Sequence, residues 1–312
     1  MGALRRIGHS IKLDMPKSLS TALWLIRITV TITLALLFLE YWGVLPFVAN
    51  LLNPLFALFG LSGKAALAFV TGYFINVYSA VAVISTLNLD IKSLTILGAM
   101  ILCAHNIITE TAVQKKSGSS AVRMVLVRTI SAFASAFILF YLLPEGEAVV
   151  ERVESLVQPT LLQMLQGWFL KTLPLIAIMT TLILSLTILQ IVLRELGVIK
   201  WMAKGLKPVM SLFGLSPESS FLWIVANVMG LAYGAAIMIG ELEGGKISQK
   251  ESDLLNHHIG ISHSNLEDLL LIGSTGAIIG WLLSIRWLLS LVIVWGVRLE
   301  LRLREKKSIF VG

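Results

Sequence analysis

The chain has 312 residues, 56% of them hydrophobic and only 14% charged, where a soluble domain carries about a quarter charged residues. That excludes a single water-soluble core. The net charge of +7 does not mark a nucleic-acid binder, because Lys and Arg gather in four short stretches, residues 5–17, 115–123, 194–207 and 298–307, which the positive-inside rule places in the cytoplasm.

In chain order, residues 1–20 read as a basic cytoplasmic segment. The apolar run 21–39 is long enough to cross a hydrocarbon core of about 30 Å. It ends at Glu40 and Trp42 without a small-residue cleavage site, so it is expected to be a retained first helix. An interfacial stretch follows, with Pro54 and the run Leu58-Phe59-Gly60-Leu61-Ser62, and then an apolar segment, 65–86, holding Gly72, Asn76, Tyr78 and Ser79. Residues 93–113 form a polar-interrupted segment that contains Cys103, the only cysteine, and ends in His105-Asn106-Ile107-Ile108-Thr109-Glu110. The long apolar run 119–143 carries Arg128. Residues 144–168 form an acidic linker, expected on the outer side.

The same succession then returns. Pro208 and Leu212-Phe213-Gly214-Leu215-Ser216 match Pro54 and Leu58 to Ser62 at an offset of 154. At an offset of 158, His105 falls on His263, Glu110 on Asp268, Ser117-Gly118 on Thr275-Gly276 and Arg128 on Arg286. The four-residue change fits a loop insertion near residues 243–246. Residues 21–143 and 169–298 are thus expected to be two copies of one unit, with a basic cytoplasmic tail at 299–312. The first copy runs from a basic start to the acidic linker and the second from that linker to a basic end, so the copies should have opposite topology. The expected fold is an all-α polytopic membrane protein of two inverted-topology repeats, each with about three spanning helices plus a re-entrant or broken polar segment. Such non-helical backbone survives at membrane depth only where protein or a wet cavity covers it.

Candidate site residues follow from the cost of burying ionisable groups, about 2.5–3.5 kcal/mol at the bilayer centre on insertion scales. On a continuous helix, His105 would share a face with Thr109 and Asn106 with Glu110, while His263-Glu267 and Ser264-Asp268 repeat the pattern. Glu110 and Asp268 are expected proton or cation sites, His105 and His263 solute contacts or proton relays, and Asn106 and Ser264 hydrogen-bond donors. Glu267 joins the second stripe. Arg128 and Arg286 are placed to pair with the two carboxylates, either as structural clasps or as solute contacts. Asn76 and Asn227, with Tyr78 and Tyr233, offer further hydrogen bonds. A metal set of His258, His263, Glu267 and Asp268 is the alternative, since imidazole and carboxylate suit several divalent ions. His257 and His258 have no partner in the first copy. No Walker-type loop or nucleophile elbow is present, so no ATP-driven engine, enzyme activity or cofactor is expected.

The repeated Leu-Phe-Gly-Leu-Ser runs, with the segments from each through Gly118 and Gly276, resemble the nucleoside recognition (Gate) domain superfamily. Its Gate-like units occur in concentrative nucleoside transporters, the membrane part of ferrous-iron transporter B, and spore maturation proteins A and B. The resemblance implies paired gating elements around a central solute path. The combined expectation is a carrier or channel-like transporter in the cytoplasmic membrane for a small polar, nucleoside-like solute, coupled to H+ or Na+. The lipid bilayer is its surroundings, nucleic acid is not a partner, and the small-residue faces permit homo-oligomers. The alternatives are a divalent-metal permease or metal-dependent membrane enzyme, and a non-transporting membrane partner.

Overall fold

The computed structural model describes residues 3–144 and 160–311, so most of the acidic linker lies outside the described residues. The first half comprises α1 (Ala3–Tyr41), α2 (Val44–Ala57), α3 (Gly63–Phe74), α4 (Val77–Ile84), α5 (Ile91–Ala104), α6 (Ile107–Lys116) and α7 (Ala121–Leu142). The second comprises α8 (Leu161–Glu195), α9 (Val198–Leu212), a 3-10 turn at Pro217–Ser219, α10 (Ser220–Met229), α11 (Leu231–Glu243), α12 (Gln249–Ser262), α13 (Asp268–Gly273) and α14 (Ile279–Val311).

Among the described residues, five stretches are long and apolar enough to cross a membrane: Leu4–Tyr41, Ile91–Lys116, Ala121–Leu142, Leu161–Glu195 and Ile279–Glu305. Their outer faces carry large apolar side chains such as Leu23, Phe137, Leu170 and Leu288, all at least half exposed. In water that much apolar surface would be an aggregation liability; against lipid it is the expected solvent contact. The protein is an all-α polytopic membrane protein.

Local sequence explains the boundaries. Ser62, Asp90 and Ser120 start α3, α5 and α7 by accepting a hydrogen bond from the backbone N–H three residues on. Thr160 with Gln163, and Ser248 with Glu251, form reciprocal capping boxes at α8 and α12. The repeated Leu-Phe-Gly-Leu-Ser signature is a helix stop. Gly60 and Gly214 adopt φ of 68° and 72°, and the following N–H groups of Leu61 and Leu215 reach back to Phe56 O (3.1 Å) and Met210 O (2.8 Å). That is a Schellman-type ending, which a left-handed glycine permits.

α1 begins earlier than its apolar run suggests, because the basic residues after Ala3 continue the helix through Pro16. Its start is held to the end of α8 by Arg194 on Asp14 at 2.9 Å and by Ser10 on Glu195 at 2.8 Å. Farther along, Thr187 donates to Ser18 and Trp168 to Thr33. Rising numbers on α1 meet falling numbers on α8, so these two helices, which occupy matching places in the two halves, run antiparallel.

Contacts between the halves come in matched pairs. α5 packs on α14 and α12 on α7, while α4 packs on α13 and α11 on α6. At residue level, a Cβ on Gly98 would lie 2.6 Å from Ile272. Shifting both by 158 gives the Asn256–Gln114 contact, where Gln114 Nε2 donates to Asn256 O at 3.4 Å.

Asn256 anchors a buried polar knot between the halves, donating to the hydroxyls of Ser117 and Ser119 at 3.0 Å each, while Ser252 donates to Ser117 O. Asn256→Ala strands these acceptors. It is expected to lower stability by about 1–3 kcal/mol, the cost of leaving a buried polar group unpaired, read as a lower midpoint of thermal unfolding in detergent.

Candidate functional site

The site grows from helix breaks. α5 and α6 are separated by His105, in extended conformation, and Asn106, which is left-handed at φ 49° and ψ 40°. α12 ends the same way, with His263 extended and Ser264 left-handed at φ 56°. Non-glycine residues in this region cost of order 1–3 kcal/mol unless their surroundings hold them. Here the surroundings do. Asn106 N donates to Gly72 O at 2.9 Å and Ser264 N to Ala226 O at 3.1 Å, and Gly72 and Ala226 are themselves related by the offset of 154.

Each break frees carbonyls that a continuous helix would have used, and one arginine caps them in each half. Arg128 donates from Nε to Cys103 O at 3.2 Å and from Nη2 to His105 O at 2.6 Å. Arg286 donates from Nε to Ile261 O at 2.7 Å and from Nη2 to His263 O. Both guanidinium groups are fully buried. Beyond this shared clasp they differ. Arg128 Nη2 lies 2.6 Å from Glu110 Oε2, an ion pair off the axis of an aligned hydrogen bond, since Oε2 has no hydrogen-bond donor. The expected Arg286–Asp268 pair is absent among the described residues. Arg286 Nη1 instead donates to Asn265 Oδ1 at 3.0 Å, because Asn265 sits in the four-residue turn that separates His263 from α13. That leaves Asp268 free of an arginine.

The breaks bring four ionisable side chains together. His105 Nε2 lies 3.2 Å from His263 Nε2, 3.2 Å from Glu110 Oε1 and 3.3 Å from Asp268 Oδ2, and His263 Nε2 lies 3.3 Å from Glu110 Oε1. The two imidazole rings are 5.0 Å apart, and both are at most 3% exposed. Under the shift of 158 the His105–Asp268 contact becomes His263–Glu110, and His105–His263 maps onto itself. The histidine pair thus stands at the centre of the matched contacts.

The ring orientations follow from the backbone. His105 Nδ1 faces Ile101 O at 3.1 Å and His263 Nδ1 faces Ile259 O at 2.8 Å. A carbonyl oxygen only accepts, so both Nδ1 atoms carry the proton and both Nε2 atoms of the neutral rings present lone pairs. Two lone pairs and two carboxylates then converge, and positive charge is needed to hold them together.

With this geometry in view, the chain can be set beside known proteins. Residues 22–146 match the Gate family, described as nucleoside recognition. Over 264 residues the chain is 29% identical to the uncharacterized membrane protein YvoD of Bacillus subtilis (strain 168), covering 83% of this chain and 85% of that one. No solved structure matches. The Gate match ends at residue 146, so it takes in His105, Asn106, Glu110 and Arg128 of the cluster and its supports.

Other expected site residues lie elsewhere or do other work. The polar stripes do not lie on continuous helix faces, since the chain breaks at His105–Asn106 and over 263–267; Glu110 meets His105 because the break turns the chain. Asn76 caps α4, accepting from Ser79 N at 2.8 Å. Asn227 Nδ2 donates to Trp223 O at 2.8 Å, and its Oδ1 accepts from Asn265, so both asparagines are committed to backbone turns. Asn106 and Ser264 contribute their backbone conformation. Glu267 accepts from Tyr78 OH at 2.6 Å, a bond between the halves rather than a ligand of the cluster.

The expected metal set of His258, His263, Glu267 and Asp268 needs correction, because His258 faces away. Its Nδ1 accepts from Trp223 Nε1 at 3.1 Å and its ring packs 4.6 Å from that of Phe213, within the aromatic core of the second half. A residue spacing cannot show that. Two residues with structural roles escaped sequence reasoning, Asn265 and Asn256. The first stands inside the His263 to Asp268 run and was legible as a polar neighbour; nothing local marks the second.

Proposed function

We propose that the protein is a non-enzymatic secondary carrier in the cytoplasmic membrane. In this reading residues 21–143 and 169–298 are inverted repeats joined by the acidic linker at 144–168, with both termini cytoplasmic. The antiparallel crossing of α1 and α8 and the matched contacts at an offset of 158 support inversion, because a two-fold axis perpendicular to crossing helices reverses one unit against the other. The observation that carries the reading is the convergence of His105, Glu110, His263 and Asp268, two from each half, on one buried cluster at helix breaks. Broken helices meeting between inverted repeats are where such carriers hold their cargo. The Gate match of the first half points the same way.

The four groups touch one another directly, so cargo of nucleoside size would have to part them, whereas an ion would not. Exchange of protons or cations between the two carboxylates would accompany alternation of access. Proteoliposomes containing the full chain, loaded with calcein as a Co(II)-quenched dye and assayed in parallel with tritiated uridine, test the proposal. Entry of at least one probe faster than into empty liposomes is expected, falling at least tenfold in Glu110→Gln or Asp268→Asn, the scale of losing one positioned charge of roughly 1.4 kcal/mol or more. Entry equal to that of empty liposomes for both probes, or flux unchanged in both variants, would overturn the carrier reading.

A further inference from the structure

The separations within the cluster have a geometric meaning of their own. Ligands held at 2.0–2.1 Å around a tetrahedral ion stand about 3.3–3.4 Å from one another. Four of the six separations among His105 Nε2, His263 Nε2, Glu110 Oε1 and Asp268 Oδ2 are 3.2, 3.2, 3.3 and 3.3 Å. The ligand atoms of His105, His263 and Asp268 also lie mutually within 4.8 Å. Hydrogen-bonded pairs stand as close, but each needs a proton between its two atoms, and with both Nδ1 protons committed to backbone carbonyls every facing atom here is an electron donor.

The surroundings add a second observation. In each ring the Nδ1 proton is committed to a backbone carbonyl, Ile101 O or Ile259 O. That is the outer hydrogen bond which fixes the tautomer and aims Nε2 at a metal in protein sites. The clasps of Arg128 and Arg286 on the carbonyls of the two histidines hold both rings in place. Asp268, without an arginine, is the more available carboxylate.

We propose that His105, His263 and Asp268, with Glu110 completing the set, bind a divalent first-row transition-metal ion between the two halves. Two imidazoles with carboxylates suit Zn(II), Fe(II), Co(II) or Mn(II) and disfavour Mg(II) and Ca(II), which require oxygen ligands. The ion supplies the positive charge that four converging donors need. The inference deepens the carrier reading by naming its cargo or coupling ion, and rests on that reading for the ion's role though not for its binding.

The test is a Co(II) titration of the full chain, purified in detergent and stripped with a chelator. One equivalent is expected to bind with the intense visible bands of tetrahedral Co(II), and excess Mg(II) should not displace it. Asp268→Asn and His263→Gln should each weaken binding by more than about tenfold, with thermal unfolding in detergent identifying variants that still fold. His258→Gln should leave the spectrum unchanged. Failure of Co(II) to bind, or equal binding in Asp268→Asn and the parent, overturns the proposal and leaves protons as the balancing charge. Tight binding with no entry of Co(II) or uridine into vesicles supports the metal site while removing the carrier reading, so the two failures are distinguishable.

Discussion

Arg128→Met is expected to lower the stability of the detergent-purified protein by about 3–5 kcal/mol, the usual cost of removing one partner of a buried ion pair. The side chain is fully buried, spans the carbonyls of Cys103 and His105, and stands 2.6 Å from Glu110. Its loss leaves a buried carboxylate without its cation and two carbonyls without donors. Arg128→Lys should recover only part of the loss, because one ammonium cannot reproduce a planar fork that reaches two carbonyls and a carboxylate. The double variant Arg128→Met with Glu110→Gln should be more stable than Arg128→Met alone, since the stranded charge is gone. Thermal unfolding of the four proteins measures this, and a single variant as stable as the parent would contradict it. Arg286→Met should cost less, because Arg286 caps carbonyls and Asn265 and has no carboxylate within ion-pair distance among the described residues.

Gly63→Ala should also be strongly destabilising, at about 1–3 kcal/mol or above, the range for forcing extra atoms into a packed interior. A Cβ built on Gly63 would stand 1.8 Å from Ala49 O and 2.6 Å from Ala49 C. Those are backbone atoms of α2 and cannot rotate aside. Gly63 N is moreover held by Asn53 Oδ1 at 3.0 Å, so relief requires α2 and α3 to separate. Gly205→Ala provides the contrast, since a Cβ there meets nothing within 4 Å and alanine is the better helix former. Folded yield and unfolding temperature should fall for the first substitution and hold or rise for the second.

Much of the architecture was legible in the amino-acid order. Apolar length marks spanning helices because lipid forces every backbone polar group to be satisfied within its own segment, and that constraint is local. The correspondence of His105 with His263, and of Arg128 with Arg286, at a fixed offset is a property of the sequence alone, as is the Leu-Phe-Gly-Leu-Ser signature, whose glycine makes the left-handed stop in both halves. Periodicity misled at the breaks. His105 to Glu110 reads as one helical face, yet Asn106 turns left-handed, because the Gly72 carbonyl and the Arg128 clasp reward a conformation that local propensity only tolerates.

Tertiary structure alone decided which groups meet. Arg286 turns to Asn265 instead of Asp268, His258 packs among aromatic rings, and His105 finds its own counterpart 158 residues away at 3.2 Å. Contacts of this kind depend on how the two halves pack together, and that packing is set by the sum of buried surfaces such as Gly98 on Ile272 rather than by any short run of residues. The sequence by itself determined which side chains are too costly to bury without partners; the packing of one half on the other selected the partners.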